Sequence, residues 1–434
     1  MQVRAKKISI PRLYELPLIQ HFESHCRDQC ADGEIPLRFI VTKTDEEFFH
    51  CELDVLQTEQ APRAGASDIF DFQPRPFPRE KDFTAVFLLP TGIAAQLGGH
   101  AGDANALVRY MGSCCDTLIT HPNAVNASDI NEMPANGLYV EGSVITRLMM
   151  GTCALRPVRS NRILLLMDQH EHPLVQAQVI NAASAARCTL GAEVDVVAIK
   201  DKPLLNAFYG ESGRAMGEIV NLDPIFRFIA SHKEKYDAVA FASVVHFPEE
   251  IHRNYIAADG DLVNPWGGVE AMLTHAASLR FNLPSAHAPM MADYQTAAEL
   301  SDVIDPRMAA EEISCAFLHC VLKGLQKAPQ IITDPRYFAI EGIISNMDLN
   351  CLVIPDGCIG LPMLAAMAQQ IPVIAVKENR TIMKNDLDDY PFSDGKLIRV
   401  DNYLEAGGVM QALRSGVSLE SLRRPITYTS FATH

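Results

Sequence analysis

The chain has 434 residues, with 37 Lys plus Arg against 53 Asp plus Glu and a formal net charge of −16. Its 48% hydrophobic and 21% charged content is that of a globular protein and excludes collagen-like, mucin-like and largely disordered chains. The acidic balance leaves no basic surplus to displace counterions from a phosphate backbone, so nucleic acid is not expected as a partner, although a local patch can still take a small anion.

Residues 1–82 differ in texture from the rest. MQVRAKKISIPRLYELPLIQHF has basic residues but neither a continuous apolar core nor a small-residue cleavage site, so no secretory signal is expected. The most apolar stretches, such as AVFLLP and RILLLM, are too short to span a bilayer; the expected setting is the cytoplasm, with no membrane partner. HFESHCRDQC spaces His21/His25 and Cys26/Cys30 at i, i+4, which share a helix face; the readings are a plain surface helix or a metal-handling cluster. IPLRFIVTKTDEEFFHCELDVL predicts a hairpin around TKTDEE, and the proline-bearing APRAGASDIFDFQPRPFPREKDF predicts a linker or strap. The 11 cysteines are scattered in apolar surroundings and read as free thiols.

From residue 84, short β-rich runs alternate with helical patterns. TAVFLLP, DTLIT, GLYVEG, RILLLMD, EVDVVAIK, YDAVAFAS, CLVIPDG, IPVIAVKEN and LIRVDN read as strands; ANALVRYMGSC, PLVQAQVINAASAARCTLG, DPIFRFIASHKEK, AAEEISCAFLHCVLKGLQ and LPMLAAMAQQ read as helices. Apolar strands flanked by helices imply a parallel sheet covered on both faces. The expected class is α/β: two Rossmann-like parallel-sheet halves, 83–245 and 246–434, behind a small N-terminal α+β extension over 1–82. In such sheets ligands bind where loops leave the carboxyl ends of strands.

Three strand-end segments are therefore candidates. After AVFLLP, the loop TGIAAQLGGHAGDA offers Thr91, Gly92, Gly98, Gly99, His100, Gly102 and Asp103; glycines let backbone amides approach a ligand, and a following helix N-terminus favours an anion. The spacing matches neither a Walker loop nor a dinucleotide fingerprint, and a tight turn with an Asp103 cap is the competing reading. After DTLIT, His121 supplies acid–base capacity, and Asn123 and Asn126 supply donors for a carboxylate or carbonyl. Glu141 ends the strand GLYVEG. Arg147, Arg156, Arg159 and Arg162 follow; Arg156 and Arg159, flanking Pro157, are the expected anion contacts, with surface ion pairs as the alternative.

The middle segment carries His246, Glu249, Glu250, His252, Glu270, His275 and His287; a metal site can be drawn from His246, His252, His275 and His287, although no HExxH or paired CxxC supports it. Asn264-Pro265-Trp266-Gly267-Gly268 reads as a loop opening a helix whose amides hold an anion. In PDGCIGLPMLAAMAQQIPVIAVKENRT, Gly357 and Gly360 turn a strand into a helix, Cys358 sits near the helix start as a nucleophile or a packed thiol, and Glu378 and Asn379 read as ligand-orienting groups.

Together PTGIAAQLGGHAGDA, ITHPNAVNASD, LYVEG, LRPVRSNRI, PDGCIGLPMLAAMAQQIPVIAVKENRT and VDNYLEAGGVMQALRSGVSLESLRRP resemble the domain-of-unknown-function family 3326 over residues 84–426. The resemblance implies an α/β protein and a small residue at position 358, against a nucleophile there; it implies no reaction. The residues themselves point to an enzyme of small-molecule biosynthesis, transferase or lyase in class. His121 with Asp103 and Glu141 would move protons, and the Gly92–Gly102 loop with Arg156 and Arg159 would hold a small anionic metabolite. A non-catalytic metabolite sensor and a metal-handling protein are the alternatives; cofactor and oligomeric state stay open.

Overall fold

The computed structural model describes residues 1–13, 17–58, 68–257, 262–292, 304–311, 313–314 and 316–432. Its strands in chain order are β1 (Gln2–Pro11), β2 (Glu34–Thr44), β3 (Phe48–Gln57), β4 (Thr84–Phe87), β5 (Thr117–Thr120), β6 (Gly137–Tyr139), β7 (Ala154–Arg156), β8 (Arg162–Asp168) and β9 (Glu193–Ile199). They continue with β10 (Leu204–Tyr209), β11 (Ala215–Val220), β12 (Ala238–His246), β13 (Ser285–Met290), β14 (Gln330–Ile332), β15 (Leu349–Pro355), β16 (Ile359–Gly360), β17 (Val373–Val376) and β18 (Leu397–Val400).

One sheet, ordered β18-β17-β15-β4-β5-β6, is parallel throughout. Its strands are short and apolar because both faces are covered. In β4, Ala85 and Phe87 pack with the cluster under helix Asn105–Ser113, while Val86 packs with the N-terminal hairpin. That alternation is the period-two side-chain geometry of a strand with two buried faces.

The second sheet is mixed. Along β16-β2-β3-β1-β11-β10-β12-β8-β9, with β13 also on β12, the block β9-β8-β12-β13 is parallel and the run from β16 to β10 is antiparallel. This departs from the expectation of parallel sheets alone. The predicted hairpin around TKTDEE forms between β2 and β3, and β1 then pairs β11 (Val3 opposite Ile219), so the N-terminal strands extend a sheet built from the middle of the chain. The expected boundary at 245/246 falls inside β12, and each sheet draws strands from both sides of it.

The segment after Asp68 runs as the predicted strap: Arg75 donates to the carbonyls of Leu349 (2.9 Å) and Gln369 (3.2 Å), and the Arg79 amide to Met347 (2.7 Å). The long helix expected over AAEEISCAFLHCVLKGLQ is shorter among the described residues, running over His319–Gln326; Phe317 takes a positive φ of 51°, which breaks the helix, and Asp129 receives the Leu318 and His319 amides at its start.

Candidate functional site

A cavity of about 500 Å³ lies where strand ends of the two sheets meet. The β4, β5, β6 and β15 ends contribute Thr91, His121, Glu141 and Ile354; the β12 and β13 ends contribute His246 and Met290; β2 contributes Arg38. Helix Gly267–Phe281 lays Gly267, Glu270, Ala271, Thr274 and His275 along one wall, a spacing that keeps them on one helix face. The helix can sit this close because its first two residues lack side chains: a Cβ on Gly267 would lie 2.2 Å from Thr91 Cγ2, and one on Gly268 2.3 Å from the Ala215 carbonyl oxygen. The glycine pair is thus required by packing.

Glu141 and His275 form the best-defined pair. Glu141 caps helix Gly142–Met149: its carboxylate accepts from the Ser143 amide (3.0 Å) and hydroxyl, and from His275 Nδ1. Burial works against its ionisation, but the His275 and Ser143 donors outweigh burial and hold the carboxyl below its ordinary value. A Cβ on Gly142 would stand 3.0 Å from His275 Cε1, so glycine leaves the ring its place. With Nδ1 donating to Glu141, the neutral ring has Nε2 as its basic nitrogen, the orientation that suits a general base.

His121 lies beside this pair but is built differently. Its Nε2 accepts the Leu89 amide (3.0 Å), so the neutral ring carries its proton on Nδ1. Burial pushes its pKa down to about 4, with His275 adding to the shift and Glu141 opposing it. It is a neutral hydrogen-bond donor near pH 7, not the base expected from the sequence.

Farther along the same helix face, Glu270 accepts from His287 Nδ1 (3.1 Å), and His287 Nε2 meets Ser243 Oγ at 2.8 Å. Both imidazole nitrogens are engaged and the ring is almost fully covered, while the Glu270 side chain keeps 22% exposure and faces the cavity. Across the cavity, Arg38 Nε donates to Asp54 Oδ2 (2.6 Å) and Arg214 Nε to Glu52 Oε2 (2.5 Å). Among the described residues neither of their Nη2 atoms has a hydrogen-bond partner; both are sealed from solvent, and Asp54 Oδ1, likewise unbonded, lies 3.6 Å from Arg214 Nη2.

The structure brings His121, Glu141, Thr91, Asn123, Asn126 and Gly360 of the expected site to this cavity. Gly92, Gly98, Gly99, His100, Gly102 and Asp103 do not line it. Gly98 and Gly102 take positive φ (both 85°), and a Cβ on Gly102 would fall 1.9 Å from that of Ala127, so the loop needs glycine for conformation and packing. Asp103 accepts the Gly98 amide (2.8 Å), and burial pushes its carboxyl up to about 7. His100 bonds the Tyr255 hydroxyl at 2.6 Å.

The arginines expected to hold an anion lie elsewhere. Arg156 and Arg159 are exposed, Arg156 bonding Gln330, and Arg162 pairs with Asp237 (2.8 Å). Arg147 is buried against Asn282 (2.8 Å). Gly357 makes a turn with φ 77°. Glu378 receives the Tyr403 amide (3.0 Å), and Asn379 ties down Leu97 (3.0 and 2.9 Å) and Tyr403; both hold loops together and neither lines the cavity. Cys358 reaches the cavity, but burial pushes its thiol up to about 12, against a nucleophile. In the N-terminal helix, His21 and His25 bond the carbonyls of Pro11 (2.7 Å) and His21 (2.9 Å), and no group of three metal-binding side chains occurs among the described residues. The side chain of His252 lies outside the described residues. Missed in the sequence were Arg38 and Arg214; the signal for Arg38 was a charged residue inside the apolar run IPLRFIV, set directly opposite Asp54 of CELD on the neighbouring strand.

Fold and site define a mixed α/β protein with a cavity at its strand ends, lined by paired ionisable groups. The family model described as a protein of unknown function, DUF3326, matches residues 84–423, and the chain belongs to this family. A relative from Synechococcus sp., named an uncharacterised lipoprotein, is 34% identical over 361 residues, covering 82% of this chain and 97% of the relative. No solved structure matches. No helix among the described residues is long and apolar enough to cross a membrane.

Proposed function

We propose that the protein is an enzyme of small-molecule metabolism that moves protons on a polar, anionic metabolite held in the cavity. The observation that carries this reading is one helix face presenting both Glu270 and the Glu141-paired His275 to the same cavity. A His–carboxylate pair orients a base that takes a substrate proton, and a second carboxyl nearby, when protonated, can give one; return of the proton to another substrate atom is isomerase chemistry, and its delivery to a group whose bond to the substrate breaks is lyase chemistry. His121 Nδ1 supplies a neutral donor to a carbonyl or carboxylate oxygen. We read the two parallel blocks, β4-β5-β6 with β15-β17-β18 and β8-β9-β12-β13, as Rossmann-like halves that open on this cleft. The cytoplasm is the compartment proposed; membrane association is suggested by name for the Synechococcus relative only, and cell fractionation decides.

The test is solvent exchange. Full-length protein is incubated in D2O with a small-molecule cell extract, and mass spectrometry follows species that change mass or composition. The reading predicts deuterated or converted species that are lost with His275→Ala. Ligand retention without any exchange would instead support a metabolite sensor.

A further inference from the structure

We propose that the substrate carries an apolar arm: its carbonyl-bearing head sits against His121 and His275 at the deep end of the cavity, and its hydrocarbon body lies along helix Gly267–Phe281 toward Trp266. This rests on the reading of the cavity as the substrate's seat and adds the substrate class. Two polar atoms at the deep end are open to a ligand. Each ring is held through its other nitrogen, His121 by the Leu89 amide and His275 by Glu141, so among the described residues His121 Nδ1 and His275 Nε2 carry no hydrogen bond. Unlike the guanidinium nitrogens of Arg38 and Arg214, neither atom is sealed from solvent. Both residues line the cavity although they are only 8% and 7% exposed. A carbonyl oxygen accepts from His121 Nδ1, and a neighbouring C–H then faces the basic His275 Nε2.

The path away from that head is apolar. Trp266 stands about 13 Å from His275 along the helix at a rise of ~1.5 Å per residue, with the partly exposed Ala271 between them. Glu270, on the same wall, is drawn toward β13 by His287 (3.1 Å). Phe247 meets Trp266 edge to face, with ring centroids 5.0 Å apart at 87°. Trp266, Phe247 and Met291 all line the cavity and keep part of their surface uncovered. Large apolar side chains bared along a cavity that ends in a donor and an acceptor suit an amphiphile. A small, wholly polar metabolite would satisfy the histidines and leave the Trp266 end against water.

Titration of the full-length protein with butanamide, hexanamide, octanamide and octanoate, followed by calorimetry and by Trp266 emission, tests this. Trp266 is the only tryptophan of the chain, so its emission reports on this end of the cavity. The amides share one unreactive carbonyl head and differ only in the arm. A fully buried methylene strengthens binding roughly fourfold, so each two-carbon extension along this partly uncovered path should tighten binding about 5-fold or more and shift the emission. Octanoate against octanamide distinguishes a charged head from a neutral one. Ala271→Gln sets a polar side chain in the arm's path at a helix position that accepts it, and should flatten the series. Affinity that does not rise with arm length, binding that leaves the emission unchanged, no binding by any probe, or an unchanged series in folded Ala271→Gln each overturns the proposal. The wild-type series decides even if Ala271→Gln fails to fold. Deuterium exchange with a flat series overturns this assignment alone; a steep series without exchange overturns the acid–base reading alone.

Discussion

The burial of His121 makes a quantitative claim about acid stability. Its ring accepts the Leu89 amide on Nε2, so protonation would set a donor against a donor and place a charge in the core. The folded pKa of about 4 lies below the ordinary 6.5. A depressed histidine binds fewer protons folded than unfolded, so its contribution to stability is present above pH 6.5 and is lost as pH falls toward 4. Two-state linkage for these two values gives a loss of about 2 kcal/mol between pH 7 and pH 5, and about 3 kcal/mol well below pH 4. His121→Asn removes the titration. The stability gap between wild type and variant, from urea unfolding at both pH values, should therefore narrow by about 2 kcal/mol at pH 5. Imidazole nitrogen NMR provides the direct assay and should show a neutral ring with its proton on Nδ1 down to pH 5. A ring that titrates near 6.5, or that carries its proton on Nε2, refutes the reasoning.

Asp103 should act with the opposite sign. Its carboxyl is raised to about 7 by burial, so its contribution falls as pH rises from about 4 through 7. Asp103→Asn, which keeps the acceptor for the Gly98 amide, should gain up to about 4 kcal/mol over wild type above pH 7 and little at pH 4, by unfolding at both pH values. Gly102→Ala should cost about 3 kcal/mol in the same assay, since a Cβ meets Ala127 and the φ is left-handed. Exposed Arg156 and Arg159 should tolerate alanine within about 0.5 kcal/mol and without loss of solvent exchange. Brief alkylation at pH 8 should modify exposed Cys188 and spare Cys358, as read by peptide mass spectrometry.

Sequence patterning revealed the strand–helix alternation and the hairpin because each depends on local periodicity and turn chemistry. It did not reveal that β1 pairs β11, since a partner some 200 residues away leaves no local trace. His121 and Glu141 were legible as polar residues at strand ends. The role of His121 was not, because it depends on which backbone amide meets its ring. The arginine cluster misled for the same reason: Arg156 and Arg159 are dense in sequence but exposed, whereas Arg38 and Arg214 are 176 positions apart and meet across Asp54. The glycine-rich loop owes its composition to left-handed turns and close packing, a demand that sequence does not separate from ligand contact.

The central claim is that Glu141–His275 and Glu270 act together on one substrate. Parallel measurement of deuterium incorporation by wild type, Glu141→Gln and Glu270→Gln tests it most directly, with each variant's unfolding transition recorded. The account predicts that each substitution lowers exchange by about 100-fold or more while the variant stays folded. A folded variant of either kind that exchanges at the wild-type rate contradicts it.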